Sequence, residues 1–315
     1  MQAAVINVLG QAPKYETFRD PEVGAGEALV EVRAAGLHPI VRALASGAHY
    51  ASGGEVPFVP GVDGVGVLKD GRRVYFVFVR KPWGPMAELA AAPVDKCIPL
   101  PDGIGDVQAA AIANPGMSAW LSLKERAGLV AGESVLILGA TGVAGQLAIQ
   151  TARRLGARRV IGAGRNVAAI AGDVDAAIAL GEPEDAVRQA FAKEISGGID
   201  VIVNYLWGRP TELLFEELAK GFKASVTPRT RMVEVGESAG KTVTLPGALL
   251  RSIDLTLLGS GFGSVPLERI LQAIPTVFSL AAEGKLTVDV EAVPLSEAES
   301  AWNRGEKGRR VVFTV

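Results

Sequence analysis

The segment from residue 135 to residue 166, VLILGATGVAGQLAIQTARRLGARRVIGAGRN, constrains the fold more than any other part of the chain. It contains an apolar run, a glycine-rich loop, a stretch with helical spacing, and a second apolar run. This order is typical of a strand–helix–strand unit in a parallel sheet. Helices cover both faces of such a sheet, so the segment predicts a doubly wound α/β fold.

The loop GATGVAG lies between the first strand and the helix, and it predicts a dinucleotide site. Gly142 permits close approach of a pyrophosphate to the backbone, and Gly145 lets the helix pack on the strand. The helix N-terminus supplies free N–H groups and the positive end of the helix dipole. Ala140 replaces the first glycine of the usual G-x-G-x-x-G pattern, so a glycine turn without a ligand stays the alternative. The predicted contacts are Ala140, Thr141, Gly142, Val143 and Gly145.

The end of the second strand indicates which dinucleotide binds. An NAD-binding fold carries an Asp or Glu about twenty residues beyond the loop, where it accepts a hydrogen bond from the ribose 2′-hydroxyl. This chain has Gly164, Arg165 and Asn166 there. A guanidinium cannot accept that bond, but its planar cation suits a 2′-phosphate. We therefore predict NADPH as the cofactor, with a surface arginine as the alternative interpretation.

The pattern of elements divides the chain of 315 residues into two predicted domains. Residues 1–113 contain short strands broken by Gly and Pro, and the alternation in ALVEVRA predicts a half-exposed antiparallel strand. Apolar strands alternate with helical stretches over 114–263, as in a Rossmann domain. A helix and a strand pair in 264–315 are expected to return to the first, β-rich domain, which is then discontinuous.

Composition excludes several classes of function. The formal net charge of -2 provides no overall attraction for nucleic acid or an anionic membrane. No window reaches the roughly 18 apolar residues of a membrane span, and the start lacks a secretory signal, so we expect a cytoplasmic protein. Cys97 is the single cysteine, which excludes an intrachain disulfide. The basic residues Arg304, Lys307, Arg309 and Arg310 are expected to form a solvated surface run.

Four segments, together with the glycine loop and the domain order, resemble the medium-chain dehydrogenase/reductase superfamily. Within it, the chain is most similar to the zinc-free quinone oxidoreductase group. The segments are GEALVEVRAAGLHP, PFVPGVDGVG, CIPLPDGIGDVQAAAIANPGMSAWLSL and VLILGATGVAGQLAIQTARRLGA. The resemblance covers nearly the whole chain, and it implies a Rossmann domain with a β-rich, GroES-like catalytic domain.

The resemblance also indicates where zinc ligands are missing. Alcohol dehydrogenases of this superfamily hold catalytic zinc with a Cys after the second strand and with a Gly-His-Glu segment. Here His38 stands at the Cys position, and the segment reads Gly61, Val62, Asp63. Valine cannot bind a metal, and the four-cysteine structural lobe is missing as well. We predict no metal site; His38 with Asp63 would offer only two ligands, which seldom hold zinc tightly. Asp63 is expected to serve a turn or a charge pair.

Without a metal to polarise an alcohol, the resemblance implies hydride transfer from NADPH to an electrophilic small molecule, a quinone or an α,β-unsaturated carbonyl. The enzyme would position this acceptor and stabilise the developing anion through hydrogen bonds. The alternative is an NADPH-binding sensor or structural protein without significant turnover, because a fold does not determine a function.

Four residues outside the glycine loop are candidates by resemblance. Tyr50 is a candidate proton donor, with a loop aromatic as the alternative, and His49 could take the donor's place. His38 is predicted to contact the ribose or the substrate, with a structural histidine as the alternative. Ser118 stands where similar reductases carry a small hydroxyl residue that faces the cofactor.

The remaining expectations concern the carboxyl ends of the later strands. Asn204, Gly236 and Gly261 follow or end such strands, where the nicotinamide half of the cofactor should lie. The terminal strand in DLTLLGSG is apolar, which is a liability when it is left unpaired. Because similar superfamily members join their nucleotide sheets edge to edge, we predict a homodimer.

Overall fold

A computed structural model of the chain describes residues 1–48, 52–220, 229–261, 263–304 and 308–315. Its strands are β1 Gln2–Val5, β2 Lys14–Thr17, β3 Glu27–Gly36, β4 Asp63–Leu68, β5 Arg73–Val77, β6 Leu89–Pro93, β7 Cys97–Pro99, β8 Ser134–Leu138, β9 Arg159–Gly164, β10 Ala176–Ala179, β11 Val201–Asn204, β12 Thr230–Glu234, β13 Leu255–Gly259, β14 Val290–Pro294 and β15 Arg310–Thr314. Its helices are α1 Pro39–Ala45, α2 Asp106–Trp120, α3 Val143–Arg154, α4 Glu184–Ser196, α5 Gly208–Lys220, α6 Leu249–Ser252, α7 Leu267–Ala282 and α8 Ala298–Ala301, with a π-helical segment at Leu121–Arg126.

The chain divides into two compact units. One unit comprises Met1–Asn114 and Ile274–Val315, and the other comprises Pro115–Ala273. Among the helices that the structure describes, none combines the length and the apolar character that a membrane crossing requires.

The unit Pro115–Ala273 is built on a parallel sheet with the strand order β10-β9-β8-β11-β12-β13. The central strand β8 is buried along its whole length, as expected for a strand covered on both faces. Helices α3 and α5 bury apolar side chains, and Leu213, Leu214 and Phe215 of α5 join the core that includes Leu136 and Leu138. The connection from β10 to β11 passes to the other side of β8, so the strand order reverses between β8 and β11. This is the Rossmann topology, and it confirms the predicted fold class.

The other unit contains a mixed sheet with the order β14-β15-β3-β4-β5-β7, in which β6 also pairs with β3. Strand β3 alternates as predicted from ALVEVRA: Val30 and Val32 are buried, whereas Glu31 and Arg33 are exposed. Strand β15 pairs antiparallel with β3, opposing Val312 to Gly36. The last strands of the chain therefore complete the sheet that begins near residue 27.

The C-terminal basic residues differ from the expected solvated run. Arg304 forms an exposed ion pair with Glu291 at 2.8 Å. Arg310, however, is only 2% exposed, and its Nη1 donates to the carbonyl oxygen of Leu37 at 2.9 Å. The expectation was wrong for Arg310 because this residue begins strand β15, whose place in the sheet buries the side chain.

Candidate functional site

The glycine loop joins β8 to α3 in a tightly packed turn. Gly139 has φ +87°, a conformation that favours glycine, and the N–H of Gly142 donates to its carbonyl oxygen at 3.1 Å. A Cβ on Gly145 would lie 2.2 Å from that same oxygen and 2.6 Å from Cα of Ala140. Glycine is therefore required at residue 145 for the helix to approach the strand.

The space at the start of α3 is open, unlike the space at Gly145. A Cβ on Gly142 would meet only the Gly139 carbonyl oxygen, at the ordinary distance of 3.5 Å. Gly142 is the N-cap of α3 and has an extended conformation, with φ -83° and ψ 164°. The first N–H groups of a helix have no partner within the helix, so those at Val143 and beyond can bind an anion.

Strand β9 supports the loop from one side. Ala140, at the usual first glycine of the pattern, is fully buried, and its N–H donates to the Ala163 carbonyl oxygen at 3.0 Å. A Cβ on Gly164 would lie 2.6 Å from Cγ2 of Thr141 and 2.7 Å from its Oγ1. Gly164 therefore makes room for Thr141, and the loop packs directly against the end of β9.

Arg165 and Asn166 leave the end of β9 with exposed side chains. Within the described ranges, the Arg165 guanidinium makes no hydrogen bond and no ion pair. A cation that is exposed and unpaired beside a glycine loop fits a phosphate group, because it can bind one without giving up a protein partner. The residues present therefore fit a dinucleotide that carries a 2′-phosphate.

Asn204, at the end of β11, is buried, and its side chain holds the turn into α5. The amide Nδ2 donates to Oγ1 of Thr211 at 2.8 Å. The amide oxygen accepts the N–H groups of Leu206 at 2.9 Å and Trp207 at 3.0 Å. The side-chain amide of Asn204 therefore makes its hydrogen bonds within the protein. The cofactor contact expected at Asn204 stays a prediction.

The remaining predicted residues of this unit lie near the carboxyl edge of the sheet. Gly236 follows β12, and its N–H donates to the Asn204 carbonyl oxygen at 3.3 Å. Gly261 follows β13, is exposed, and donates from its N–H to Oγ of Ser264 at 2.8 Å. Ser118 lies half-buried on α2 beside Tyr205. Gly236 and Ser118 are thus brought to the turn that follows β11, whereas Gly261 lies just beyond the end of the outermost strand, β13.

The unit that contains the mixed sheet holds a buried polar network around His38. Nε2 of His38 lies 3.0 Å from Oδ1 of Asp63, and the Tyr75 hydroxyl donates to the other carboxylate oxygen at 2.8 Å. The three residues are 1%, 1% and 2% exposed. Burial and the negative charge of Asp63 raise the pKa of Tyr75 well above its usual value, so the phenol keeps its proton.

Each member of the network is positioned by a different element. His38 is the N-cap of α1, Asp63 begins β4, and Tyr75 lies on β5, which pairs with β4. A Cβ on Gly36 would lie 2.5 Å from Nε2 of His38, so only glycine leaves room for the ring. Nδ1 of His38 is buried and has no hydrogen-bond partner in the described part of the chain.

This network lies where the resemblance places the zinc ligands. Val62 packs against the apolar core, and Asp63 faces His38. No group of three or more His, Cys, Asp or Glu side chains that could hold a metal occurs among the described residues. Metal independence stays a prediction.

Sequence reasoning missed Tyr75. Its setting in RVYFVFV gives the pattern of an ordinary core strand, and only the pairing of β4 with β5 brings its hydroxyl to Asp63. Tyr50 and His49 lie outside the residues that the structure describes.

Comparison with known proteins supports the same architecture. No family model matches the chain. A probable NADPH-dependent quinone reductase, tdiC of Emericella nidulans, is 27% identical over 99% of both chains. NorB, a protein of the spectinabilin polyketide synthase system of Streptomyces orinoci, is 31% identical over 92% of this chain, which spans only 13% of that protein. The quinone oxidoreductase of Thermus thermophilus, also known in complex with NADPH, has a TM-score of 0.78 and 28% identity over the full length of both chains.

The Rossmann sheet, the separate β-rich unit and these full-length matches define the class. The chain belongs to the medium-chain dehydrogenase/reductase superfamily. Within this superfamily, its relatives place it with the proteins that are like quinone oxidoreductases.

Proposed function

We propose that this chain is an NADPH-dependent oxidoreductase that transfers a hydride to a quinone or to an α,β-unsaturated carbonyl. The observation that carries the proposal is Arg165, exposed and unpaired among the described residues, at the end of β9 and next to the open N-terminus of α3. The names of tdiC and of the T. thermophilus enzyme support the same cofactor and the same class of acceptor.

The residues of the Rossmann unit would hold the cofactor as follows. The N-terminus of α3 and the open backbone at Gly142 would bind the pyrophosphate, and Arg165 would bind the 2′-phosphate. Asn166 follows Arg165 in the chain and would lie beside that phosphate. When bound, NADPH supplies the hydride. The nicotinamide half would extend toward the strands on the other side of β8, where Gly236 and Ser118 lie.

The acceptor must already be electrophilic, since the chain lacks the usual zinc ligands. His38 is the polar residue that we assign to it. When Nε2–H donates its hydrogen bond to the carboxylate of Asp63, Nδ1 is the ring nitrogen that has no partner in the described part of the chain. A ring protonated on both nitrogens would donate from Nδ1 to the developing oxyanion, and the carboxylate of Asp63 would supply the compensating charge.

Protonation of carbon would require a second group. Tyr50 remains our proposed donor for enone substrates, because a phenol can protonate a developing enolate. A hydroquinone anion takes its proton from water, so quinone reduction would not need Tyr50.

A screen of NADPH oxidation tests the proposal. The purified protein is mixed with NADPH and, separately, with quinones, enals, enones and enoyl thioesters, and absorbance of the reduced cofactor is followed. We expect turnover with at least the quinones or the enones, and a slower rate with NADH. Mixtures without acceptor and without protein are the controls. Tight NADPH binding with no turnover in any class would instead indicate a sensor or structural protein.

A further inference from the structure

The residue after Asn204 is Tyr205, whose hydroxyl oxygen lies inside the protein. The oxygen is buried, and it has no hydrogen-bond partner within the part of the chain that the structure describes. Buried polar groups in proteins almost always have a partner, so a buried hydroxyl without one calls for a reason. A ligand that supplies the missing partner is such a reason.

The backbone that carries Tyr205 is held in an unusual conformation. Trp207 has φ 53°, a left-handed value that is rare for a large side chain, and Gly208 follows with φ 59°. The Asn204 amide oxygen fixes this turn by accepting the N–H groups of Leu206 and Trp207. Strained turns of this kind persist where the surroundings fix them, and they concentrate at functional sites.

The turn lies directly beside the glycine loop. Strands β8 and β11 are neighbours, with Leu138 opposite Asn204. A Cβ on Gly139, the first residue of the loop, would lie 3.1 Å from Cβ of Tyr205. Tyr205 therefore packs against the loop that is proposed to bind the pyrophosphate.

The strand order decides which half of a dinucleotide Tyr205 meets. Arg165 follows β9, on one side of β8, whereas Tyr205 follows β11, on the other side. A dinucleotide binds across the crevice at this point of the sheet, with its pyrophosphate at the central loop. With the adenosine phosphate at Arg165, the nicotinamide half must extend to the side of Tyr205.

We propose that Tyr205 is a cofactor-binding residue whose hydroxyl hydrogen-bonds the nicotinamide riboside half of NADPH. This assignment rests on the proposed function. Burial raises the pKa of Tyr205, so the hydroxyl keeps its proton and can act as a donor at neutral pH. The Ser118 hydroxyl lies nearby, outside good hydrogen-bonding geometry, and it offsets part of the effect of burial on that pKa. The Ser118 hydroxyl would be a second polar group beside the same half of the cofactor.

The test compares two ligands by isothermal titration calorimetry. One is NADPH, and the other is adenosine 2′,5′-bisphosphate, which keeps both phosphate groups of the adenosine half but lacks the whole nicotinamide riboside. In Tyr205→Phe, NADPH binding should weaken by about ten-fold, the usual value of one good hydrogen bond, while binding of adenosine 2′,5′-bisphosphate stays unchanged. Tyr15→Phe, which removes an exposed hydroxyl, is the matched control and should change neither affinity.

The outcomes separate this assignment from the proposed function. A Tyr205→Phe protein that binds NADPH as tightly as the wild type, or that loses affinity for both ligands equally, overturns the role of Tyr205. A wild-type protein that binds neither ligand overturns the proposed function itself. Thermal unfolding without ligand gives a third readout: because the hydroxyl has no hydrogen-bond partner among the described residues, Tyr205→Phe should keep or raise the wild-type melting temperature. A clear drop would show that the hydroxyl serves folding, which also contradicts the assignment.

Discussion

Replacing Arg165 by alanine should raise the Michaelis constant for NADPH and leave that for NADH nearly unchanged. The side chain is exposed and makes no ion pair within the described residues, so its removal should change the free energy of unfolding by less than about 0.5 kcal/mol. The effect should therefore appear in cofactor binding. A charge-assisted hydrogen bond contributes about 1.5–3 kcal/mol, and solvent exposure favours the lower end of that range.

At about 1.4 kcal/mol for each factor of ten, this contact predicts a ten- to hundred-fold preference for NADPH, most of which Arg165→Ala should abolish. Arg165→Glu should go further, because the carboxylate repels the 2′-phosphate. Steady-state rates at varied NADPH and NADH give both constants, and added salt should weaken NADPH binding to the wild type more than NADH binding.

The matched control is Arg154→Ala. Arg154 is exposed and ends α3, roughly 17 Å along the helix axis from its N-terminus, so neither constant should change. If the wild type uses NADPH and NADH equally, or if Arg165→Ala weakens the binding of both alike, Arg165 is a surface residue without a role in binding. The glycine loop would then predict a dinucleotide without distinguishing NADPH from NADH.

Four further predictions concern other parts of the chain. With Val62 at a ligand position, activity should survive exhaustive chelation; stoichiometric zinc whose removal abolishes activity would contradict this. Tyr50→Phe should lower the enone rate by about 10²- to 10⁴-fold, the range of general acids, and change the quinone rate less. An unchanged enone rate, with NADPH affinity intact, would make Tyr50 a loop aromatic. Light scattering at micromolar concentration should show a homodimer that Leu257→Glu disrupts, because Leu257 is 36% exposed on the apolar edge strand β13; a wild-type monomer would refute it. Tyr75→Phe should lower the free energy of unfolding by about 1–3 kcal/mol in urea titrations, since it removes a buried hydrogen bond to Asp63. Equal stability of the two proteins would show that this bond contributes nothing.

The local sequence was sufficient to predict the Rossmann sheet and its glycine loop. The glycines of GATGVAG indicate the backbone conformation directly, because Gly139 adopts a positive φ and a side chain at Gly145 would collide with the loop. The alternation in β3 and the apolar run of β8 likewise follow from the number of faces that each strand buries. Such features depend on neighbours within a few residues, which a single sequence contains.

The polar networks, in contrast, were decided by tertiary structure. His38, Asp63 and Tyr75 are far apart along the chain, and they meet only because α1, β4 and β5 pack together in one register. Arg310 is buried because β15 joins the sheet of β3, although its basic neighbours suggest a solvated surface. The sequence also gives no sign that the Tyr205 hydroxyl has no hydrogen-bond partner among the described residues. Hydrogen-bond partners across strands depend on register and long-range pairing, which no local pattern records.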